Sequence, residues 1–346
     1  MPDFPTTDDE VPALNEQHPK KWGRRIRRAL IGVAMLLIVT ELVARFVFGL
    51  GDPPLMQTDP KIEYLFAPNQ SVRRFMNRIH YNQYSMRADD FPEKKSSPTE
   101  LRIYSIGDSV INGGAQTDQS ELATDILQRE LTKKLNRKVV VGNASASSWG
   151  PINELEFLKR STLLDSDVLL IVVSSHDVVD VPTFGPSVGV QLDMPDRKPL
   201  CAISELIVRY GMPRLMARIA PVVLPPPTTQ SITLENPDVT ASLDALRQMI
   251  AMAHAAHVRV IVAQHIERIE ANGKLLPGHD LILNAARGAG AEVIQLAPRF
   301  DESLRAGRDP WRDAIHPNAI GQRLIADALE PALERGANAE SAPKAE

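Results

Sequence analysis

Five short apolar runs constrain this fold more than any other feature. They are Leu101–Ile106, Val139–Val141, Val168–Val173, Val258–Ala263 and Glu292–Leu296. Each is followed, directly or after an interruption, by a segment whose apolar residues recur at helical spacing. Leu122, Ile126, Leu127 and Leu131 share one face, as do Ile152, Leu155 and Leu158. Further helices are expected at about 239–257, 280–289 and 318–329. Runs that are apolar throughout suit strands covered on both faces. Alternation with helices then predicts a three-layer α/β/α fold around a five-stranded parallel sheet. Ligands of such sheets bind at the carboxyl ends of the strands, so residues just after the runs are the candidates for chemistry.

The rest of the chain is organised around this unit. Six bases, Lys20, Lys21, Arg24, Arg25, Arg27 and Arg28, precede an apolar run from Ala29 to Leu50. Twenty-two helical residues span about 33 Å, enough for a bilayer core. Glu41 and Arg45 within it are four apart and can pair. The expectation is one transmembrane helix, with 1–28 a cytoplasmic arm and the remainder outside, because bases stay inside. A cleaved signal peptide and a soluble helix compete with it, but no clear small-x-small site follows the run, and Ala29–Val39 has no polar face. Residues 51–97, with Pro53, Pro54, Pro60, Pro68 and Pro92, read as an extended connection. The main domain would then be 98–335, with a proline-rich insertion at 182–237 and a disordered tail at 336–346.

Composition narrows the function. A net charge of −4 over 346 residues gives no reason to expect nucleic acid. With Cys201 as the only cysteine, an intrachain disulfide, a zinc knuckle or a Cys-x-x-Cys redox centre is impossible. Neither a dinucleotide fingerprint nor a phosphate loop occurs, so no nucleotide cofactor is expected, and no metal set is in view.

Two motifs remain. Gly107-Asp108-Ser109 follows the first strand run, with Gly113 four residues after the serine, and Asp313-Ala-Ile-His316-Pro317-Asn318 precedes the last helix. A serine at a strand-to-helix turn is exposed near backbone N–H groups, and a serine nucleophile needs a base held by an orienting acid. Together, in this order, the motifs resemble the SGNH (GDSL) hydrolase family over about 101–329, with Gly321 completing the final block. The resemblance implies a flavodoxin-like sheet, Ser109 as nucleophile, His316 as base and Asp313 as its orienter.

The middle blocks depart from the family pattern. Asn143-Ala-Ser145-Ala-Ser-Ser148 stands where Asn-x-Gly-x-x-Gly is usual, and Ser174-Ser175-His176-Asp177 where Gly-x-Asn-Asp is usual. The resemblance implies an oxyanion hole from the N–H groups of Ser109 and Ser145 and the side chain of His176. Either His176 replaces the family's asparagine as donor or the hole is weakened. Asn143, Gln264 and His265 are further candidates for substrate contact. Upstream, Arg87 is expected to be solvated rather than paired with a carboxylate near the sheet edge. Anchored relatives often act on O-acyl groups of exported glycans. The expected function is thus a periplasmic, inner-membrane-anchored serine esterase or acyltransferase on an exopolysaccharide, possibly acylated cellulose, near synthesis or export proteins. A lipid or lysophospholipid esterase is the alternative within enzymes, favoured if Leu206, Ile207, Leu215 and Met216 line a large apolar pocket. A non-catalytic export subunit is the alternative outside them.

Overall fold

The computed structural model describes residues 19–219 and 232–340. The expected arm lies outside them up to residue 18, as do 220–231 of the insertion and 341–346 of the tail. Among the described residues one helix, α1 (Pro19–Phe46), is long and apolar enough to cross a membrane. It starts ten residues before the expected anchor and stops four before its end.

The parallel sheet forms from β5 (Leu101–Gly107), β6 (Val139–Ser145), β7 (Val168–Val173), β8 (Arg259–Gln264) and β9 (Glu292–Gln295), in the order β6-β5-β7-β8-β9. Every residue of β5, β6 and β7 is buried, as continuous apolar runs require. Alternate strand residues feed two cores. Ile103, Val141, Leu170 and Ile261 face α3 (Ala123–Leu135), α9 (Ala297–Arg305) and α10 (Ala319–Glu340). Tyr104, Ile106, Leu169, Ile171 and Val262 face α4 (Pro151–Ser161), α7 (Pro237–Ala255) and α8 (Pro277–Gly288). The three-layer α/β/α architecture is therefore as the periodicity predicts. Two helices depart from expectation: α10 runs on through Pro331, and α9 is an additional short helix.

Residues 51–97 are the main departure from the sequence expectation. They are not a loose connection but two antiparallel hairpins, β1 (Met56–Asp59) with β2 (Glu63–Phe66) and β3 (Gln70–Arg74) with β4 (Asn77–Tyr81). Ile62, Leu65, Phe66, Ile79 and Tyr81 join the core on the α4 and α7 side, and the rings of Phe66 and Tyr81 stack at 4.1 Å. The prolines fall outside the strands or in turns, where they cost no ladder bond. The β3–β4 turn is made by Phe75 and Met76, with φ of +50° and +73°. Such turns usually carry Asn-Gly, so bulky residues there conceal the hairpin in the sequence.

The insertion is mostly irregular to residue 201. It then forms α5 (Ala202–Glu205), a wider helical stretch Leu206–Gly211 and α6 (Met212–Ile219).

Candidate active site

The end of β5 places the serine. Asp108 caps α2 (Ser109–Asn112), its Oδ1 accepting the N–H of Val110 at 2.8 Å. Gly107 is required there, because a Cβ would lie 2.7 Å from the Val172 carbonyl on β7. Gly113 ends α2 at φ +75°, and a Cβ would lie 2.5 Å from Leu122 Cδ2. Both glycines of the first block thus have steric reasons.

The loop before α10 brings the other motif to the same point. His316 Nε2 lies 2.9 Å from Ser109 Oγ, and His316 Nδ1 lies 2.8 Å from Asp313 Oδ2. Asp313 also accepts the backbone N–H groups of Ile315 and His316, at 2.9 and 2.8 Å. Partial burial works upward on its pKa, but those two N–H groups and the imidazole outweigh it and hold the carboxyl at about 2. Asn318 Oδ1 caps α10 by accepting from Ile320 and Gly321, and Gly321 packs so closely that a Cβ would lie 2.4 Å from the Pro310 carbonyl. The side chain of Asp313 is 47% exposed and that of His316 28%, so the arrangement opens to solvent.

Two arginines that the sequence reading did not place hold the serine loop. Arg87 is not solvated as expected but fully buried, donating to the carbonyls of Asn112, Gly114 and Thr117. Its guanidinium fork suits three carbonyls converging from one loop. Arg312 donates to the Gly113 carbonyl at 2.8 Å, joining the Asp313–His316 loop to the serine loop. Neither has a short-range sequence signal, because both act on backbone far away in sequence. An Arg87→Ala variant is expected to lose about 3–5 kcal/mol of stability in urea unfolding, since it strands buried carbonyls that accept from a charged donor. A loss under 1 kcal/mol would mean that the loop holds itself.

The middle blocks are placed as follows. Ser145 ends β6 without left-handed backbone, so a serine side chain is tolerated where the family has glycine. Ser148, at the second glycine position, sits at φ +55°, a conformation that favours glycine. Asn143 is fully buried, donating to the Ile111 carbonyl and accepting from Ser145 Oγ at 2.6 Å. Gln264 and His265 are also fully buried, so these three residues lie within the domain rather than at an exposed rim. Burial pushes the His265 pKa down to about 3.

His176 stands beside Asp108, whose Oδ2 is 3.4 Å from Ser109 Oγ, with Nε2 3.8 Å from that Oδ2 and 3.2 Å from Asp177 Oδ1. Its Nδ1 is 3.1 Å from Glu267 Oε1, and Asp180 is 3.8 Å from Nε2. Burial alone would lower its pKa, but Asp177, Glu267, Asp108 and Asp180 together push it up to about 10. Both nitrogens face carboxyl groups, and burial also raises the pKa of Asp108 and Asp177. Burial in turn pushes Asp180 up to about 6, opposed by His176. Asp108, His176 and Asp177 also bring ligand atoms within 4.8 Å of one another, a spacing that could hold a metal ion.

Comparison with known proteins adds a family. The model of the GDSL-like lipase/acylhydrolase family matches residues 105–324. No curated protein matches the chain. Similar solved structures include an alpha/beta hydrolase enzyme from the metagenome of Lake Arreo, Spain, at 16% identity, covering 68% of this chain and 95% of that one with a TM-score of 0.44. A lipolytic protein of the G-D-S-L family from Veillonella parvula is 13% identical, covering 68% and 99%, with a TM-score of 0.43. An acetylxylan esterase from Geobacillus stearothermophilus is 13% identical, covering 67% and 94%, with a TM-score of 0.42.

Proposed function

From the premise that this chain belongs to the GDSL-like lipase/acylhydrolase family, we propose that it cleaves or transfers O-acyl groups, acetyl above all, on an exported polysaccharide. The observation that carries the reading is the Ser109–His316–Asp313 relay, at 2.9 and 2.8 Å, open to solvent. Ser109 Oγ attacks the ester carbonyl while His316 Nε2 takes its proton. Asp313 holds Nδ1–H and stabilises the imidazolium that forms. His316 then returns the proton to the leaving alcohol. Water, or a sugar hydroxyl in transfer, attacks the acyl-serine with His316 again as base.

Charge on the carbonyl oxygen would meet the N–H groups of Ser109 and Ser145, and His176 would join them as donor by turning Nε2 away from Asp108 and Asp177. A His176→Ala variant is then expected to lose about 10²–10³ in kcat, the usual effect of removing one such donor. His176→Asn, which restores an N–H donor, should recover most of that loss. Unchanged kcat in the alanine variant would remove His176 from the reaction.

An open relay favours an ester displayed on a large soluble polymer over a long acyl chain needing a tunnel. The apolar cavity of about 510 Å³ at Leu206 is lined by α1 residues and Tyr210, not by Ser109 or His316. It gives no acyl-chain site at the reacting atoms, which counts against the lysophospholipid reading. In this proposal α1 anchors the enzyme in the inner membrane, with the bases at 20–28 inside and the catalytic domain outside, near polysaccharide synthesis or export proteins. Purified enzyme should release acetate from O-acetylated cellulose or a similar glycan at least about tenfold faster than fatty acid from lysophospholipid, a discrimination of about 1.4 kcal/mol. The reverse preference would overturn the substrate class.

A further inference from the structure

Among the described residues, an apolar stripe of the insertion has no covering. Met212, Leu215, Met216 and Ile219 recur at 0, 3, 4 and 7 of α6, the spacing of one helical face, and with Val208 in the wider stretch before them are 45–69% exposed. Arg214 and Arg218 are interspersed off that spacing. Five such side chains in one stripe are more apolar surface than a soluble domain leaves scattered.

The stripe is tied to α1 at a definite height. Glu41 accepts the N–H groups of Ala202 and Ile203 at the start of α5, at 3.0 and 2.9 Å, and pairs with Arg45 at 2.7 Å. Glu205 pairs with Arg74 at 2.5 Å and accepts the Gly51 N–H, fixing α5 to the chain that leaves α1. Ala44, Leu50 and Ala202 pack together between them.

That height matters. From Ala29 to Thr40 the helix has twelve residues without charge, about 18 Å of rise. A bilayer core needs about 30 Å. Counted from Ala29, Glu41 therefore falls short of the far boundary, and by less where Arg27 and Arg28 snorkel outwards, so it lies just inside the far leaflet, where an unpartnered carboxylate would be costly. Its partners are the α5 backbone amides, so α5 and the segment after it stand at the same depth.

We propose that residues 202–219 form a second membrane element, lying in the leaflet on the catalytic-domain side with the apolar stripe among acyl chains. The occupant of the stripe is lipid. Leu206, Tyr210 and Arg214 line one cavity with Val39 and Val43 of α1, so the segment lies beside the exposed apolar surface of α1, and the exposed Arg214 and Arg218 suit anionic phosphates at the interface. The inference rests on α1 being a membrane anchor. It makes the domain's orientation on the membrane fixed rather than tethered, with the Ser109 site held at a set distance from the surface.

The test uses the full chain in nanodiscs of phosphatidylethanolamine and phosphatidylglycerol, with Cys201→Ser to remove the native thiol. Spin labels are attached after Leu215→Cys and, separately, Met216→Cys, with Leu36→Cys in α1 and Lys133→Cys in α3 as references. Collision with dissolved oxygen against a water-soluble nickel chelate gives depth. Labels at 215 and 216 should sit about 5–10 Å below the phosphates. The label at 36 should be in lipid and that at 133 in water. Lipid at 36 with water at 215 and 216 overturns the proposal and leaves the anchor standing. Shielding of 215 and 216 from both reagents means a protein covers the stripe, which also overturns it. Water at 36 overturns the anchor and this proposal together.

Discussion

Replacing Ser109 by alanine is expected to lower kcat on an aryl acetate by about 10⁴–10⁶, the loss seen when a triad nucleophile is removed. Only Oγ disappears, and it carries the new bond of the acyl-enzyme. Asp108 still caps α2 through Val110 N–H, and Arg87 still holds the loop carbonyls, so the fold loses nothing it depends on. Circular dichroism and the urea midpoint should be unchanged. Loss of activity with an intact fold assigns the effect to chemistry. An active Ser109→Ala enzyme would place the nucleophile elsewhere.

The second large effect is expected from Asp313→Asn, about 10³–10⁴ in kcat. The amide oxygen can still accept the N–H groups of Ile315 and His316, so the loop keeps its shape. What is lost is the negative charge opposite His316 Nδ1, which stabilises the imidazolium as Ser109 attacks. The carboxylate is 47% exposed, so water screens part of its charge and the effect belongs below that of the serine. The pH dependence separates its roles. The folded-state pKa of Asp313, about 2, lies below the usual carboxylate value. Its contribution to stability is therefore fully present above about pH 4 and is lost as pH falls towards 2. Activity changes at neutral pH must then arise from another group. A pH–rate profile of the wild type that broke only near pH 2–3 would instead tie activity to the Asp313 carboxyl, and an Asn variant within tenfold of wild type would remove the orienting role.

The sheet was legible because its strands are buried on both faces. Apolar runs such as Val168–Val173 need no long-range information to be read. The two motifs of the candidate site were legible because their spacing is local: Gly107 to Gly113 forms one turn and capped helix, and Asp313 to Gly321 one loop and helix start. What remained hidden depends on contacts distant in sequence. The hairpins of 51–97 gain their stability from the core beneath them and from a turn of Phe75 and Met76 that carries no turn signal. Arg87 acts on carbonyls 25–30 residues onward, and Arg312 on one 199 residues back. Histidine in place of asparagine at 176 was visible, but its ring of four carboxylates was not, because Asp108, Asp177, Asp180 and Glu267 meet only in the folded domain.

The proposed chemistry depends above all on Ser109 as a nucleophile activated by His316. Intact-mass analysis after reaction with a fluorophosphonate tests it most directly. One adduct on wild type, mapped to Ser109, slowed strongly in His316→Ala and absent from Ser109→Ala, is the predicted result. Folded wild-type protein that takes up no adduct, or a Ser109→Ala variant labelled as fast as wild type, would contradict it.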